Sequence, residues 1–227
     1  MWISCIGELS KDYRTYAVDN IYDFGRSIYT KTVKDSNDFV SWLDELFNAL
    51  KLENDINLMG LSYGGWLTSQ YALQFSERLN KIVLLVPAAT VVSMQLGFLA
   101  RLIWVPLPFS YFTRSFIYWL FEDYTKKDKK AVEDIAGGIS LAFKCFKSKR
   151  LPNTSILTDD ELKSIKVPAL YLIGKNEKEY SAKKAVQRLN NVAPQIKTEI
   201  IPDAGHDLLT VQTELVNKRV LEFLKHP

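Results

Sequence analysis

Residues 60–64 read Gly-Leu-Ser-Tyr-Gly, between an apolar strand-like run (Ile56 to Leu61) and a helix-like run (Trp66 to Phe75). A serine at a strand-to-helix turn is held in a strained backbone conformation, with its hydroxyl lifted out of the sheet. The positions two before and two after it must be small, because strand and helix backbones nearly touch there. Gly60 and Gly64 meet that demand. The helix that follows aims its free N–H groups and positive dipole end at the serine, where negative charge develops in acyl transfer. Ser62 is therefore the candidate nucleophile, in preference to a plain Gly-rich turn.

A serine hydroxyl is a weak nucleophile until a base takes its proton, and the base needs a carboxylate to orient it. The chain has two histidines. His226 is penultimate and reads as a helix-end or frayed residue, whereas His206 lies in Pro-Asp-Ala-Gly-His-Asp, a turn between the last strand-like and last helix-like runs. His206 is the candidate base. Activity is then expected to rise with pH through a group near the ordinary histidine value of about 6.5. The acid is sought just past a strand that ends at Gly174, in Lys175-Asn176-Glu177-Lys178-Glu179. Glu177 is favoured, with Glu179 and Asp203 as competitors. The other loop suited to the acid, Pro87 to Ser93, has no Asp or Glu.

The elements that must position these side chains alternate along the chain. Strand-like runs are Arg14–Val18, Ile56–Leu61, Lys81–Val86, Val167–Ile173 and Lys197–Ile201. Helical spacing marks Met1–Asp12, Phe39–Leu50 behind a polar Asp35-Ser36-Asn37-Asp38 start, Gly64–Phe75, Ala182–Leu189 and Leu208–Leu224. Such alternation predicts one α/β domain over residues 1–227, a mostly parallel sheet with helices on both faces. Residues from about 90 to 162 break the pattern with a long, mainly helical insertion carrying ten aromatics between Phe98 and Tyr124. An insertion placed after a strand's C-terminal end lands above the ligand crevice. It is expected to be a lid over an apolar pocket, with some of those aromatics packing its own core.

The bulk composition is ordinary for a soluble globular protein: 47% hydrophobic, 24% charged, net charge +3. The one basic concentration, Lys126 to Lys130, contains Asp128 and has no accompanying nucleic-acid motif, so a solvated face is expected. Cys5 and Cys145 lack metal-ligand spacing and read as free, mostly buried thiols. The first residues lack a basic patch followed by an apolar core, and Arg101, Pro106, Pro108 and Arg114 interrupt the apolar stretch from Leu96 to Phe121. A cytoplasmic protein with no membrane span is expected.

The order Ser62, Glu177, His206 is the nucleophile–acid–base order of α/β-hydrolases. With Tyr16-Ala17-Val18-Asp19, Lys166-Val167-Pro168 and Ala204-Gly205-His206, the chain resembles that superfamily, and more closely its small bacterial carboxylesterase-like members. The resemblance covers nearly all of the chain outside the insertion. It implies the α/β-hydrolase fold, hydrolysis of a small-molecule acyl ester through an acyl-serine, and no metal or cofactor. It also implies an oxyanion hole of two backbone N–H groups, one from Tyr63 and one from a His-Gly loop after an earlier strand. No His-Gly occurs in these 227 residues. The resemblance puts that loop upstream of Met1, and its strand between the 14–18 and 56–61 strands. The competing expectation is therefore a hydrolase-like fragment or binding module that keeps the triad but turns over poorly.

Overall fold

A computed structural model describes residues 2–22, 24, 27–28, 31–105, 107, 110–146 and 149–225. His226, Pro106 and Pro108 lie outside the described residues. The first helix is α1 (Ile3–Leu9), and the next is α2 (Ser36–Ala49). Asp35 caps α2 by accepting from the Asp38 N–H at 3.0 Å, the role its polar start signal predicts. Strand β1 (Ile56–Leu61) runs into α3 (Tyr63–Gln74), and a 3-10 turn at Ser76–Arg78 leads to β2 (Leu79–Leu85). The insertion then folds as α4 (Leu96–Leu102), α5 (Ser110–Leu120), α6 (Glu122–Lys127), α7 (Lys129–Cys145) and α8 (Asp159–Ser164). Strand β3 (Ala169–Gly174), α9 (Ala182–Val192), β4 (Ile196–Ile201), α10 (Leu208–Val211) and α11 (Thr213–Lys225) complete the chain.

The described strands form one parallel sheet in the order β1-β2-β3-β4, with α3 packed on β1 and β2 and α9 on β4. Lys81 on β2 reaches α11, donating to the Phe223 and Leu224 carbonyls at 2.9 and 3.0 Å. All six residues of β3 are buried, as an inner parallel strand requires. The main core joins the sheet to Phe39, Val40 and Phe47 of α2, Trp66 and Tyr71 of α3, and Val216 and Val220 of α11. A second, smaller core lies within the insertion, around Phe98, Phe116, Ile117, Leu120, Val132 and Ala136.

Four expectations change. Residues 14–18 form no strand and join no described strand ladder, because β1 lies across a cavity from them and offers them no hydrogen-bonding neighbour. The closing helix is broken at Gln212, whose side chain donates to the Pro202 carbonyl at 3.1 Å, leaving α10 and α11 separate. Cys145 is exposed at the end of α7, whereas Cys5 is buried and its thiol pKa is pushed up to about 11 by that burial. The tight spot in the Gly-x-Ser-x-Gly turn is also asymmetric. A Cβ on Gly60 would lie 2.1 Å from the Gly64 carbonyl oxygen, but one on Gly64 would meet nothing within 4 Å.

Candidate active site

Strand register brings the candidate residues to one edge. Leu61 pairs with Leu85, Leu85 with Leu172, and Gly174 with Ile201, so β1, β2, β3 and β4 end together. Ser62 follows β1 directly, Glu177 lies three residues past β3, and His206 lies five past β4. All three therefore emerge at the carboxyl edge of the sheet, where open α/β sheets bind their ligands.

Ser62 has φ 52° and ψ −118°, a region that non-glycine residues rarely occupy and that costs of order 1–3 kcal/mol. Its N–H donates to the Leu85 carbonyl at 2.9 Å, and its own carbonyl accepts from Ala88 and Trp66 at 3.0 and 3.1 Å. These bonds hold the turn against its strain. Ser62 is the N-cap of α3, yet its side chain makes no capping bond, so the hydroxyl is left for other work. Tyr63 opens the helix, and an N–H in the first turn has no intrahelical acceptor. The Tyr63 and Trp66 side chains pin the end of the insertion, donating to the Pro152 and Ser155 carbonyls at 3.0 and 3.2 Å.

Glu177 and His206 meet directly, with His206 Nδ1 3.2 and 3.1 Å from the two carboxylate oxygens. Glu177 Oε1 also accepts from the N–H groups of Lys178 and Glu179, each at 2.8 Å. Burial works against the charge on Glu177, but the imidazole and the two N–H donors outweigh it and lower its pKa. Burial likewise pulls the His206 pKa down; Glu177 foremost, with Glu179 and Asp207, outweighs it and raises the value above 6.5. The two loops approach closely because Gly174 has no side chain, since a Cβ there would lie 2.3 Å from the Ala204 and Gly205 carbonyl oxygens. Among the described residues no hydrogen bond joins Ser62 to His206. Such contacts are often long before substrate arrives.

Glu179 is buried and accepts from the Ala89 N–H at 2.8 Å, and burial pushes its pKa up to about 7. Asp203, at φ 51°, sits in the turn after β4. Two neighbours had no readable signal in the chain. Asp207 accepts from the N–H groups of Gly205 and Tyr124 at 3.1 and 2.7 Å, tying the histidine loop to α6 of the insertion. Phe121 stacks over the His206 ring, 6.4 Å between centroids and 16° between planes. Lys178 pairs with Glu122, and Asn176 donates to Asp123 at 2.8 Å, so α6 is fastened to the acid loop as well.

Beside Ser62 lies a cavity of about 680 Å³, bounded by residues 13–18, the open side of β1 and the α1 and α2 side chains. Its walls include Tyr16, Met59, Gly60, Leu61 and Tyr63, and Leu151 from the insertion. The Tyr16 hydroxyl is buried there without a hydrogen-bond partner.

Comparison with known proteins agrees with the fold. Residues 1–219 match the model of the alpha/beta hydrolase family. Carboxylesterase YbfK of Bacillus subtilis is 33% identical over 226 residues, covering 99% of this chain and 75% of that protein. The uncharacterized carboxylesterase nap of the same organism is 32% identical over 229 residues, covering 98% and 74%. The crystal structure of naproxen esterase (carboxylesterase NP) from Bacillus subtilis superposes with a TM-score of 0.87 at 30% identity, covering 99% of this chain and 78% of that one. A meta-cleavage product hydrolase, CumD, shares the fold at a TM-score of 0.80 and 22% identity. The carboxyl-edge serine turn, the buried Glu177–His206 pair and the match across residues 1–219 lead to one placement: the chain belongs to the alpha/beta hydrolase family.

Proposed function

We propose that this protein is a serine hydrolase that cleaves a carboxylic ester through an acyl-serine intermediate. The observation that carries the reading is the strained, uncapped Ser62 at the same sheet edge as the buried Glu177–His206 pair. The carboxylesterases among its relatives support the substrate class. Ser62 Oγ attacks the acyl carbon while His206 Nε2 takes its proton, and Glu177 stabilises the imidazolium that results. The developing oxyanion is held by the Tyr63 N–H at the positive end of α3. His206 then returns the proton to the departing alcohol, and water releases the acid by the same steps in reverse. The helical insertion acts as a lid, fastened to the acid and base loops through α6.

A fluorophosphonate probe tests the assignment. It is expected to label Ser62, as mapped by peptide mass spectrometry, and Ser62→Ala is expected to abolish labelling. Undiminished labelling of the alanine variant would remove Ser62 from the mechanism. Across p-nitrophenyl esters from acetyl to octanoyl, medium chains should turn over faster than acetate, and a flat profile would count against an apolar acyl site.

A second reading, a hydrolase-like module with weak turnover, is favoured by the cavity along β1. Among the described residues, the sheet presents an unpaired edge on that side of Ser62, and the second oxyanion donor has no identified source. The 19–27 loop is one candidate, although residues 23, 25 and 26 lie outside the described residues.

A further inference from the structure

A strained loop lies between the two halves of the site. In the sheet order β1-β2-β3-β4, the chain leaving β2 emerges between the Ser62 turn and the Glu177 loop. Within it Val86 and Ala89 have φ of 39° and 41°, a left-handed region that side chains rarely adopt, least of all a β-branched one. Such backbone persists only where its surroundings over-determine it, and it clusters at functional sites. On the β1 side, the Ala88 N–H donates to the Ser62 carbonyl at 3.0 Å. Gly65 of α3 packs directly on Pro87, where an added Cβ would lie 2.8 Å from the proline Cβ.

On the β3 side, Glu179 and Tyr180 hold the same loop. Glu179 Oε1 accepts from the Ala89 N–H at 2.8 Å, and the Tyr180 hydroxyl donates to the Pro87 carbonyl at 2.8 Å. Tyr180 in turn accepts from the Tyr171 hydroxyl of β3 at 3.3 Å. The backbone of Glu179 extends the link. Its N–H donates to Glu177 Oε1 at 2.8 Å, and its carbonyl accepts from the Gln95 N–H, at the start of α4, at 2.7 Å. One residue thus joins the acid, the start of the insertion and, through Ala89 and Ala88, the nucleophile turn. Glu179 is 1% exposed, so its bond to Ala89 is shielded from competing water.

We propose that Glu179 is a positioning residue: by holding the Ala88–Ala89 loop it sets Ser62 against the Glu177–His206 pair. The inference rests on the Ser62 nucleophile proposed above. What the position requires is a hydrogen-bond acceptor and not a charge, since a neutral carbonyl oxygen can also receive the Ala89 N–H. Without that acceptor the strained loop is free to relax, and the Ser62 turn relaxes with it. A shift of about 1 Å in a reacting group can lower a rate by about 10²-fold.

The test compares Glu179→Gln, Glu179→Met and Tyr180→Phe in the full chain, with folding checked by near-ultraviolet circular dichroism. The readouts, per folded molecule, are the rate at which a fluorophosphonate labels Ser62 and the kcat and KM for p-nitrophenyl butyrate. Both Glu179 substitutions remove the same charge, but only Glu179→Gln keeps the acceptor. Glu179→Met should lower the labelling rate and kcat by about 10²-fold with KM little changed, and Glu179→Gln should stay at least about tenfold above it. Tyr180→Phe, which frees Pro87 and leaves Glu179 in place, should slow labelling about threefold. It carries the test if Glu179→Met does not fold. A merely structural role would lower the melting temperature and the folded fraction, but not these rates per folded molecule. Three results would overturn the inference: Glu179→Met as fast as the parent, equal losses in Glu179→Gln and Glu179→Met, or Tyr180→Phe at the parental rate. A parent that hydrolyses the ester without label at Ser62 would instead overturn the nucleophile assignment.

Discussion

The acid–base half of the site and the nucleophile half rest on unequal foundations. Glu177 leaves β3, which has a strand on each side and all six residues buried, and it touches His206 from the neighbouring β4. Five separate features hold that half in place: two N–H donors on Glu177, the Gly174 approach, the Asp207 bonds, the Phe121 stack and the Lys178–Glu122 pair. Ser62 leaves β1, an edge strand whose first four residues are only partly buried and whose far side faces the cavity. Among the described residues its turn is held by Leu85 and Ala88 from the β2 side and by Trp66 of its own helix. Under the proposed mechanism, proton transfer would be preorganised from several directions, whereas stabilisation of the oxyanion would be preorganised from fewer. Packing on both sides of a strand is what turns a correct residue into a correctly held one.

The firmer half should fail most sharply when its chemistry is changed without changing its shape. Glu177→Gln is expected to lower kcat by about 10⁴, the cost seen when the orienting carboxylate of a triad becomes an amide, with little change in melting temperature. Glu179→Gln should cost far less, because an amide oxygen can still accept from Ala89. If Glu179→Gln does the greater damage in steady-state kinetics, the two carboxylates have been assigned the wrong way round.

The weaker half should improve when its open side is filled. An N-terminal extension that lays one apolar strand between β1 and residues 14–18 is expected to raise kcat by about 10²–10³, equivalent to one oxyanion donor. It should also suppress the edge-to-edge association expected of an unpaired strand, read by sedimentation velocity. A monodisperse monomer of these 227 residues with an ordinary esterase kcat of about 10 s⁻¹ would erase the contrast between the halves.

Smaller effects lie in the pH dependence. His206 must be neutral to accept the proton, and its pKa is raised, so the acidic limb of kcat/KM should have its midpoint above 6.5. Stability carries a separate signature. The Glu179 pKa rises from 4.5 to about 7 on folding, so its contribution is complete below pH 4.5 and is lost as pH climbs towards 7. The slope is at most about 1.4 kcal/mol per pH unit. The difference in urea midpoint between the parent and Glu179→Gln should shrink in that window as pH rises; a difference independent of pH would mean that Glu179 is already ionised when buried.

Local patterns in the chain carried most of the fold. The apolar run at 56–61 appears as β1 with the same limits, because a short run between turn signals has few other uses. The 35–38 start signal became a true cap, because an N-cap needs only its own first turn. Residues 14–18 were misread because strand character requires a neighbour, and a neighbour is not a property of the segment. Asp207 and Phe121 were invisible for the same reason: their partners, Tyr124 and His206, are more than eighty residues away in the chain.

The sequence by itself determined that Ser62 sits in a strand-to-helix turn, that His206 follows the last strand and that an acidic loop follows Gly174. Each is a local consequence of residue type and spacing. Only the tertiary structure shows what the two carboxylates of that loop reach, Glu177 the histidine and Glu179 the Ala89 N–H. It alone left β1 open beside Ser62 and turned the apolar side of α4 outward. Those outcomes depend on which surfaces meet when the sheet and the insertion pack, and such long-range packing has no period to be read in a single chain.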